Sequence, residues 1–254
     1  MSEAVLRAKD LNVFYKNRKR KLFSGSKKIQ ILHDVSFEME EGEVLAIAGE
    51  SGCGKSTLAR AIVGINKDYT GELWQKYDGP QMVFQDPYNS LNPAKKIGWL
   101  LEEPLKVDKK KKWTKEERRA KVEEIMKEIE LPLEMLERYP SQLSGGQRQR
   151  VCIGIALMRE PKLVIADEPV SALDVTIQAQ IMELLRSLHE RLGISIIFIS
   201  HDLRVVYQIS DHVMIMRGGK IVEYGKTADV YKNPQADYTK ELLVAAGIRK
   251  EAAL

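Results

Sequence analysis

The chain has 254 residues, 40 Lys and Arg against 36 Asp and Glu, a net charge of +4 and 44% hydrophobic residues. That composition is globular and long enough for one large domain or two small ones, and so mild a charge makes no case for nucleic acid. No apolar run approaches the roughly 18–20 residues that span a bilayer, the first ten residues lack a signal core, and Cys53 and Cys152 have no metal-ligand spacing and read as free thiols.

Val5 to Tyr15 alternates apolar and polar positions and predicts a strand ending in Phe14-Tyr15. Lys16 to Lys28 carries seven Lys/Arg, Gly25 and two serines. That is the composition of a solvated loop; the alternative is a contact with phospholipid or a partner. Ile29 to Met39 predicts a second strand, and Glu40-Glu41-Gly42-Glu43 a turn. Val44-Leu45-Ala46-Ile47-Ala48 reads as a buried strand, followed by Gly49-Glu50-Ser51-Gly52-Cys53-Gly54-Lys55-Ser56-Thr57 and a helix from Leu58. Strand, glycine loop and helix are the setting a G-x-x-x-x-G-K-S/T phosphate loop requires. Its glycines let backbone N–H groups turn inward, and the helix N-terminus adds partial positive charge. Gly49, Ser51, Gly52, Cys53, Gly54, Ser56 and Thr57 are the candidate cradle, with Lys55 reaching the β- and γ-phosphates and Ser56 holding Mg²⁺. The bland alternative is a glycine turn with a surface lysine.

Gly71–Trp74 and Gln81–Phe84 predict short strands, the second ending at Gln85, and Trp74 and Trp99 read as packing residues. Asn89 to Pro140 is charged and helical and reads as a subdomain inserted, at about 89–140, in an α/β core. Within it Thr114-x-x-Glu117 has the capping-box pattern, and Val122, Ile125, Met126 and Ile129 form one apolar face. Lys109 to Lys112 reads as a solvated loop. A helix runs from Gln147, a buried strand covers Leu163–Ala166 and ends in Asp167-Glu168, and a helix over Val175–Leu192 stops at Gly193. Ile194–Ile199 has the unbroken apolar character of a parallel strand and leads into Ser200-His201-Asp202 and another helix. Val213–Met216 and Ile221–Tyr224 form a hairpin around Gly218-Gly219, and two short helical pieces flank Pro234.

Asp167 and Glu168 end an apolar strand, where α/β sheets place ligand groups. Asp167 can hold Mg²⁺, and Glu168 can take a proton from an attacking water. The alternative is an acidic strand-end turn. In Leu143-Ser144-Gly145-Gly146-Gln147-Arg148-Gln149-Arg150, small residues sit just before a helix and expose N–H groups and a hydroxyl at its positive end, a second anion site; the alternative is a helix start without a ligand.

Taken in order, Gly49–Thr57, Gln85, Leu143–Gln147, Leu163–Glu168, Ser171-Ala172-Leu173-Asp174 and His201 resemble the ABC-transporter ATPases over almost the whole chain. The resemblance implies an α/β fold: a phosphate-loop NTPase core of RecA-like type with a mainly parallel sheet, a small antiparallel β-subdomain and an inserted helical subdomain, residues 1–254 making one nucleotide-binding domain. It implies ATP and Mg²⁺. By the same resemblance Glu168 would polarise the water, Gln85 would couple Mg²⁺ and water to the helical subdomain, and His201 would contact the γ-phosphate. It further implies a head-to-tail dimer in which Ser144, Gly145, Gly146 and Gln147 close over the ATP of another cassette, with Asp174 in the joining segment. Tyr15, or Phe14 beside it, would stack on adenine, a core aromatic being the alternative.

Phe84–Pro93 and Glu168–Gln180 are more narrowly similar to the ATPases of oligopeptide/dipeptide importers, and the basic loop lies where the second of their two paired cassettes often has an insertion. The implied protein is a peripheral ATPase at the cytoplasmic face of the membrane. It would energise uptake of oligopeptides or dipeptides through separate permease subunits, with a non-identical second cassette and, indirectly, an extracytoplasmic substrate-binding protein. Cassettes of nickel or metal-chelate importers, and a less active regulatory cassette, are the alternatives. Three departures stand out. Ala236-Asp237-Tyr238-Thr239 replaces a frequent His-Pro-Tyr-Thr. No cysteine follows Cys152, so no iron–sulfur cluster is expected. The stretch Thr57–Gln85 is short, which implies a trimmed β-subdomain.

Overall fold

The structure, a computed structural model, describes residues 3–16 and 28–248; the basic stretch between Lys16 and Lys28 lies outside the described residues. In chain order the elements begin β1 (Ala4–Lys16), β2 (Lys28–Glu40), β3 (Val44–Ala48), α1 (Lys55–Ile62), β4 (Tyr69–Gln75), β5 (Gln81–Val83), α2 (Pro87–Ser90), α3 (Ile97–Lys106) and α4 (Lys115–Glu128). Short 3-10 segments follow at Leu133–Glu137 and Pro140–Gln142. Then come α5 (Gly145–Leu157), β6 (Leu163–Asp167), α6 (Val175–Leu192), β7 (Ser195–Ser200), α7 (Leu203–Ile209), β8 (His212–Arg217), β9 (Lys220–Lys226), α8 (Thr227–Lys232) and α9 (Asp237–Ala245). They make two compact units, one from the residues up to Pro80 together with those from Ser195 onward, the other spanning Gln81–Ile194.

In the first unit β3 lies between β7 and β8, parallel to both, and β9 closes antiparallel on β8. Every residue of β3 and β7 is buried, which is why both read as unbroken apolar runs rather than alternating ones. Ala46 and Ala48 of β3 share a core with Val213 and Ile215 of β8, Leu203 and Val206 of α7, and Tyr238 and Leu243 of α9. Helix α9 thus packs against the strand that feeds the glycine loop. A second, antiparallel sheet has the order β2-β1-β4. The short Thr57–Gln85 stretch still supplies it with a strand of seven residues, β4.

The alternation along β1 is not continuous. Leu6 and Ala8 are buried, then Leu11 and Val13, and the phase changes at Asp10, whose φ is 48° and where pairing with both neighbours slips. Such a bulge turns the next residues to the opposite face. Asn12 holds it, donating to Asp34 Oδ1 and the Asp10 carbonyl and accepting from Gln30. Trp74 departs from the expectation of a packing residue. It is 45% exposed, because it lies on the face of the sheet that also exposes Arg7 and Glu38, and the Arg7 guanidinium opposite it lies 5.7 Å from its ring. Trp99 is half-buried under Lys95 and Lys106.

In the second unit β5 and β6 pair in parallel. Helix α4 starts at the predicted capping box, with the Thr114 hydroxyl accepting from Glu117 N–H and Glu117 Oε2 from Thr114 N–H. It buries Val122, Ile125 and Met126, and Ile129 follows. Gly154 of α5 admits this face: a Cβ there would lie 2.9 Å from Ile129 and 3.1 Å from Ile125. Helix α6 ends at Gly193 in the left-handed conformation, φ 59°.

Candidate nucleotide site

The glycine loop leaves β3 at Ala48 and enters α1 at Lys55, about one turn earlier than the apolar pattern suggested, because Lys55-Ser56-Thr57 is helical yet has no apolar residue to announce it. Gly49 cannot be replaced by a larger residue without a shift: its φ is 146°, and a Cβ would fall 2.2 Å from the Met216 carbonyl oxygen. The Gly219 N–H donates to the Cys53 carbonyl at 2.9 Å and the Gly219 carbonyl accepts from His33 N–H at 2.9 Å, so the β8–β9 turn fastens the loop to β2. Lys55 is 5% exposed, and its ammonium donates to the carbonyls of Gly49 at 2.7 Å and Glu50 at 3.0 Å. That fixes a positive charge across the loop. Ser51 and Gly52 are exposed, Ser56 and Thr57 half-buried, and Gly54 buried at the helix N-cap. Cys53 is buried, and burial pushes its thiol pKa up.

The parallel pairing of Ala48 with Ser200 makes the loop and His201 leave the sheet at the same, carboxyl end, the end where such sheets carry ligands. His201 is exposed and precedes the N-cap of α7, Asp202, whose Oδ1 accepts from Arg204 N–H at 2.9 Å. Tyr15 lies near the end of β1, half-buried, opposite Ile29. It shares a strand face with buried Val13, and its hydroxyl is buried without a hydrogen-bond partner among the described residues. Phe14 takes the other face, with the Lys28 ammonium 5.8 Å from its ring.

In the second unit, pairing of Val83 with Ala166 sends Gln85 and Asp167-Glu168 off the same end of β5 and β6. Asp167 is 4% exposed. Gln85, on the surface, donates from Nε2 to Glu168 Oε2 at 3.0 Å. Glu168 has a φ of 48°. A left-handed residue other than glycine costs roughly 1–3 kcal/mol, and among the described residues Asp10, Asp34, Glu130 and Glu160 adopt it too. Asp86, next to Gln85, caps α2 by accepting from Tyr88 and Asn89 N–H.

The segment Ser144–Gln147 is also in this unit. Gly145 and Gly146 were expected just before the helix; they are its first turn, with Ser144 as N-cap. Ser144 N–H donates to Gln147 Oε1 at 2.9 Å and Gln147 N–H to Ser144 Oγ at 3.3 Å, a capping box that fixes the helix end. Both glycines face the start of α6: a Cβ on Gly145 would lie 3.2 Å from Leu173, one on Gly146 2.5 Å from Ile177. Asp174 is the N-cap of α6, accepting from Ile177 N–H at 3.0 Å. The structure thus joins the Ser144 and Asp174 segments, and separately Gln85 and Glu168. Buried Arg148 donates to the Pro140 carbonyl at 2.7 Å and lies 3.6 Å over the ring of Tyr88, tying α5 to α2. Sequence reasoning passed over that pair, and also Tyr238, whose hydroxyl accepts from the Glu50 amide. A hint of the latter was the Tyr-Thr kept at 238–239.

A parallel strand running into a glycine loop, a lysine and a helix defines a phosphate-loop nucleotide-binding protein. More narrowly, residues 32–171 match the family described as ABC transporter, and the chain belongs to that family. The dipeptide transport ATP-binding protein DppF of Haemophilus influenzae is 47% identical over 242 residues, which cover 89% of this chain and 73% of that protein. The oligopeptide transport ATP-binding protein OppF of Escherichia coli is 42% identical over 263 residues, 97% of this chain and 78% of its own. Among solved structures, the ATP-binding cassette MJ0796, as a post-hydrolysis dimer bound to ADP and Pi, superposes with a TM-score of 0.74 at 30% identity, covering 87% of this chain and 98% of that one. The cassette cbiO1 of Clostridium perfringens gives 0.75 at 27% identity, covering 97% and 96%.

Proposed function

We propose that this chain is the ATP-hydrolysing subunit of an importer that takes up dipeptides or oligopeptides through separate permease subunits. The observation that carries the reading is the 47% identity, over nearly the whole chain, to a dipeptide transport ATP-binding protein. The Gly49–Thr57 loop supports it, because its helix N-terminus and the Lys55 charge suit the β- and γ-phosphates. Tyr15, or Phe14 beside it, stacks on the adenine. The Ser56 hydroxyl and the buried Asp167 carboxylate are hard oxygen donors of the kind Mg²⁺ prefers. When bound, Mg²⁺ offsets negative charge on the phosphates. Glu168, steadied by Gln85, receives the proton of the attacking water, and His201 bonds the γ-phosphate.

Residues 1–254 act as one nucleotide-binding domain, with the helical segment at about 89–140 inserted. It pairs head-to-tail with a second, non-identical cassette. The Gly145 and Gly146 amides and the Ser144 hydroxyl, with Gln147 and Asp174 beside them, face the ATP held by that partner. The dimeric state of the MJ0796 cassette supports this arrangement. ATP favours the closed pair and hydrolysis the open one, and that difference in free energy is available to the permease. No helix of the described residues is long and apolar enough to cross a membrane, which fits a peripheral position on the cytoplasmic face, with a binding protein acting from the far side.

The test is Glu168→Gln in the assembled complex. ATP should still bind, while hydrolysis and uptake of labelled dipeptide fall at least about a hundredfold. Unchanged hydrolysis would remove Glu168 from its role, and import of a nickel chelate in place of peptide would overturn the cargo.

A further inference from the structure

The fragment Ala236-Asp237-Tyr238-Thr239 has no part in the chemistry above, yet its tyrosine reaches the phosphate loop. Tyr238 stands in the first turn of α9, 6% exposed, packed with Ala46 and Ala48 of β3 and with Leu203 and Val206 of α7. The Arg217 guanidinium lies 4.5 Å from its ring. The ring is therefore held on two sides, and its hydroxyl has one orientation to offer. That hydroxyl accepts from the Glu50 N–H at 3.3 Å. Burial raises the phenol pKa, so the group is neutral at physiological pH. The far end of α9 is tied as well: the Ala246 carbonyl accepts from Arg204 Nε at 3.0 Å, on the helix that follows His201-Asp202.

The Glu50 N–H belongs to the same planar peptide unit as the Gly49 carbonyl. In a trans peptide those two groups point in opposite directions. Lys55 Nζ donates to that carbonyl at 2.7 Å. One peptide plane is thus gripped at its N–H edge by Tyr238 and at its C=O edge by Lys55, on a loop whose glycines do little to resist rotation.

We propose that Tyr238 is a positioning residue for the phosphate loop: its hydroxyl sets the plane of the Gly49–Glu50 peptide and, through the Gly49 carbonyl, the place of the Lys55 ammonium. The inference rests on the reading that this loop binds ATP. It makes α9, whose Tyr238 is 188 positions from Glu50, part of the apparatus that presents the lysine to the phosphates.

The experiment uses the full chain carrying Tyr238→Phe, which keeps the ring, its packing and the Arg217 stack and removes one oxygen. MgATP affinity is measured by calorimetric titration, and thermal unfolding is followed without nucleotide. The expected result is affinity weaker by about three- to tenfold, the range for one neutral hydrogen bond, with a melting temperature within about 2 °C of the parent. Tyr238→Leu, which also removes the ring, should lower both. Parental affinity in Tyr238→Phe overturns the proposal. So does a loss of affinity that appears only together with a lower melting temperature, since that is the behaviour of a residue that merely holds the fold. A parent chain that binds no MgATP would instead defeat the nucleotide reading itself.

Discussion

Replacing Gly49 by alanine should unfold the protein more easily before it touches any ligand. The added Cβ would lie 2.2 Å from the Met216 carbonyl oxygen, where 3.0 Å is the closest approach real Cβ atoms make, so about 0.8 Å must be found. The obstacle is backbone, not a side chain that can swing away. Met216 is in β8, which pairs with β3 up to Ala48 and Ile215, so opening the gap pulls on that ladder. Overpacking of this kind costs roughly 1–3 kcal/mol. The backbone angle of 146° adds strain of about the same size. Together they amount to roughly 2–6 kcal/mol, a large part of the 5–15 kcal/mol by which a typical domain is stable. Thermal unfolding of the nucleotide-free protein should therefore shift down by about 5–20 °C. Gly52→Ala is the internal control. Its φ is 81° but nothing lies within 4 Å of the added carbon, so only conformational strain, roughly 1–2 kcal/mol, remains. If the two variants melt together, the close approach to Met216 is not what demands glycine at 49.

Three further outcomes follow from the same geometry. Lys55→Ala removes the charge bonded to two loop carbonyls and should weaken MgATP binding about ten- to a hundredfold by titration; equal affinity would count against the loop as the phosphate site. Thr114→Ala deletes the hydroxyl that accepts from Glu117 N–H at 3.1 Å and should cost about 1 kcal/mol in urea unfolding with an unchanged slope; a midpoint identical to the parent's would show that the cap contributes nothing to stability. Burial, with Asp86 nearby, pushes the Cys152 thiol up to about 12. The thiolate is then only about one molecule in ten thousand at pH 8, and its share rises with pH. Iodoacetamide should leave Cys152 unlabelled in the native protein and label it in urea, and rapid native labelling would refute its burial.

What was legible in the sequence was whatever has a short period or a fixed spacing. β3, β6 and β7 are buried on both faces and therefore apolar without interruption, and the glycine after Leu192 marked the end of α6 because the chain needs a left-handed residue there. The start of α1 lies earlier than the apolar pattern because Lys55, Ser56 and Thr57 carry no apolar side chain to announce it. Trp74 departs from the expectation of a packing residue because composition does not say which face of a strand meets solvent. Pairing across long separations left no local trace. The bond from Gln85 to Glu168 spans 83 positions, and Tyr238 reaches Glu50 only because α9 returns to β3. The candidate residues themselves were readable one by one, whereas the supports that hold them were not.

Gly146 faces Ile177 so closely that the two positions are not free to vary independently. A Cβ at 146 would meet Ile177 Cγ2 at 2.5 Å. Valine at 177 would keep that methyl and relieve nothing; only a residue without a branch at Cβ makes room. The pair is therefore epistatic. A side chain at 146 is tolerable after a change at 177 and damaging before it, and the order in which the two arise decides which sequences can be reached. A double-mutant cycle of Gly146→Ala with Ile177→Ala would register this as a favourable coupling in melting temperature, and strictly additive shifts would disprove it. The helix α6 thus sets the mutational path open to the segment it supports, independently of any ligand that segment meets.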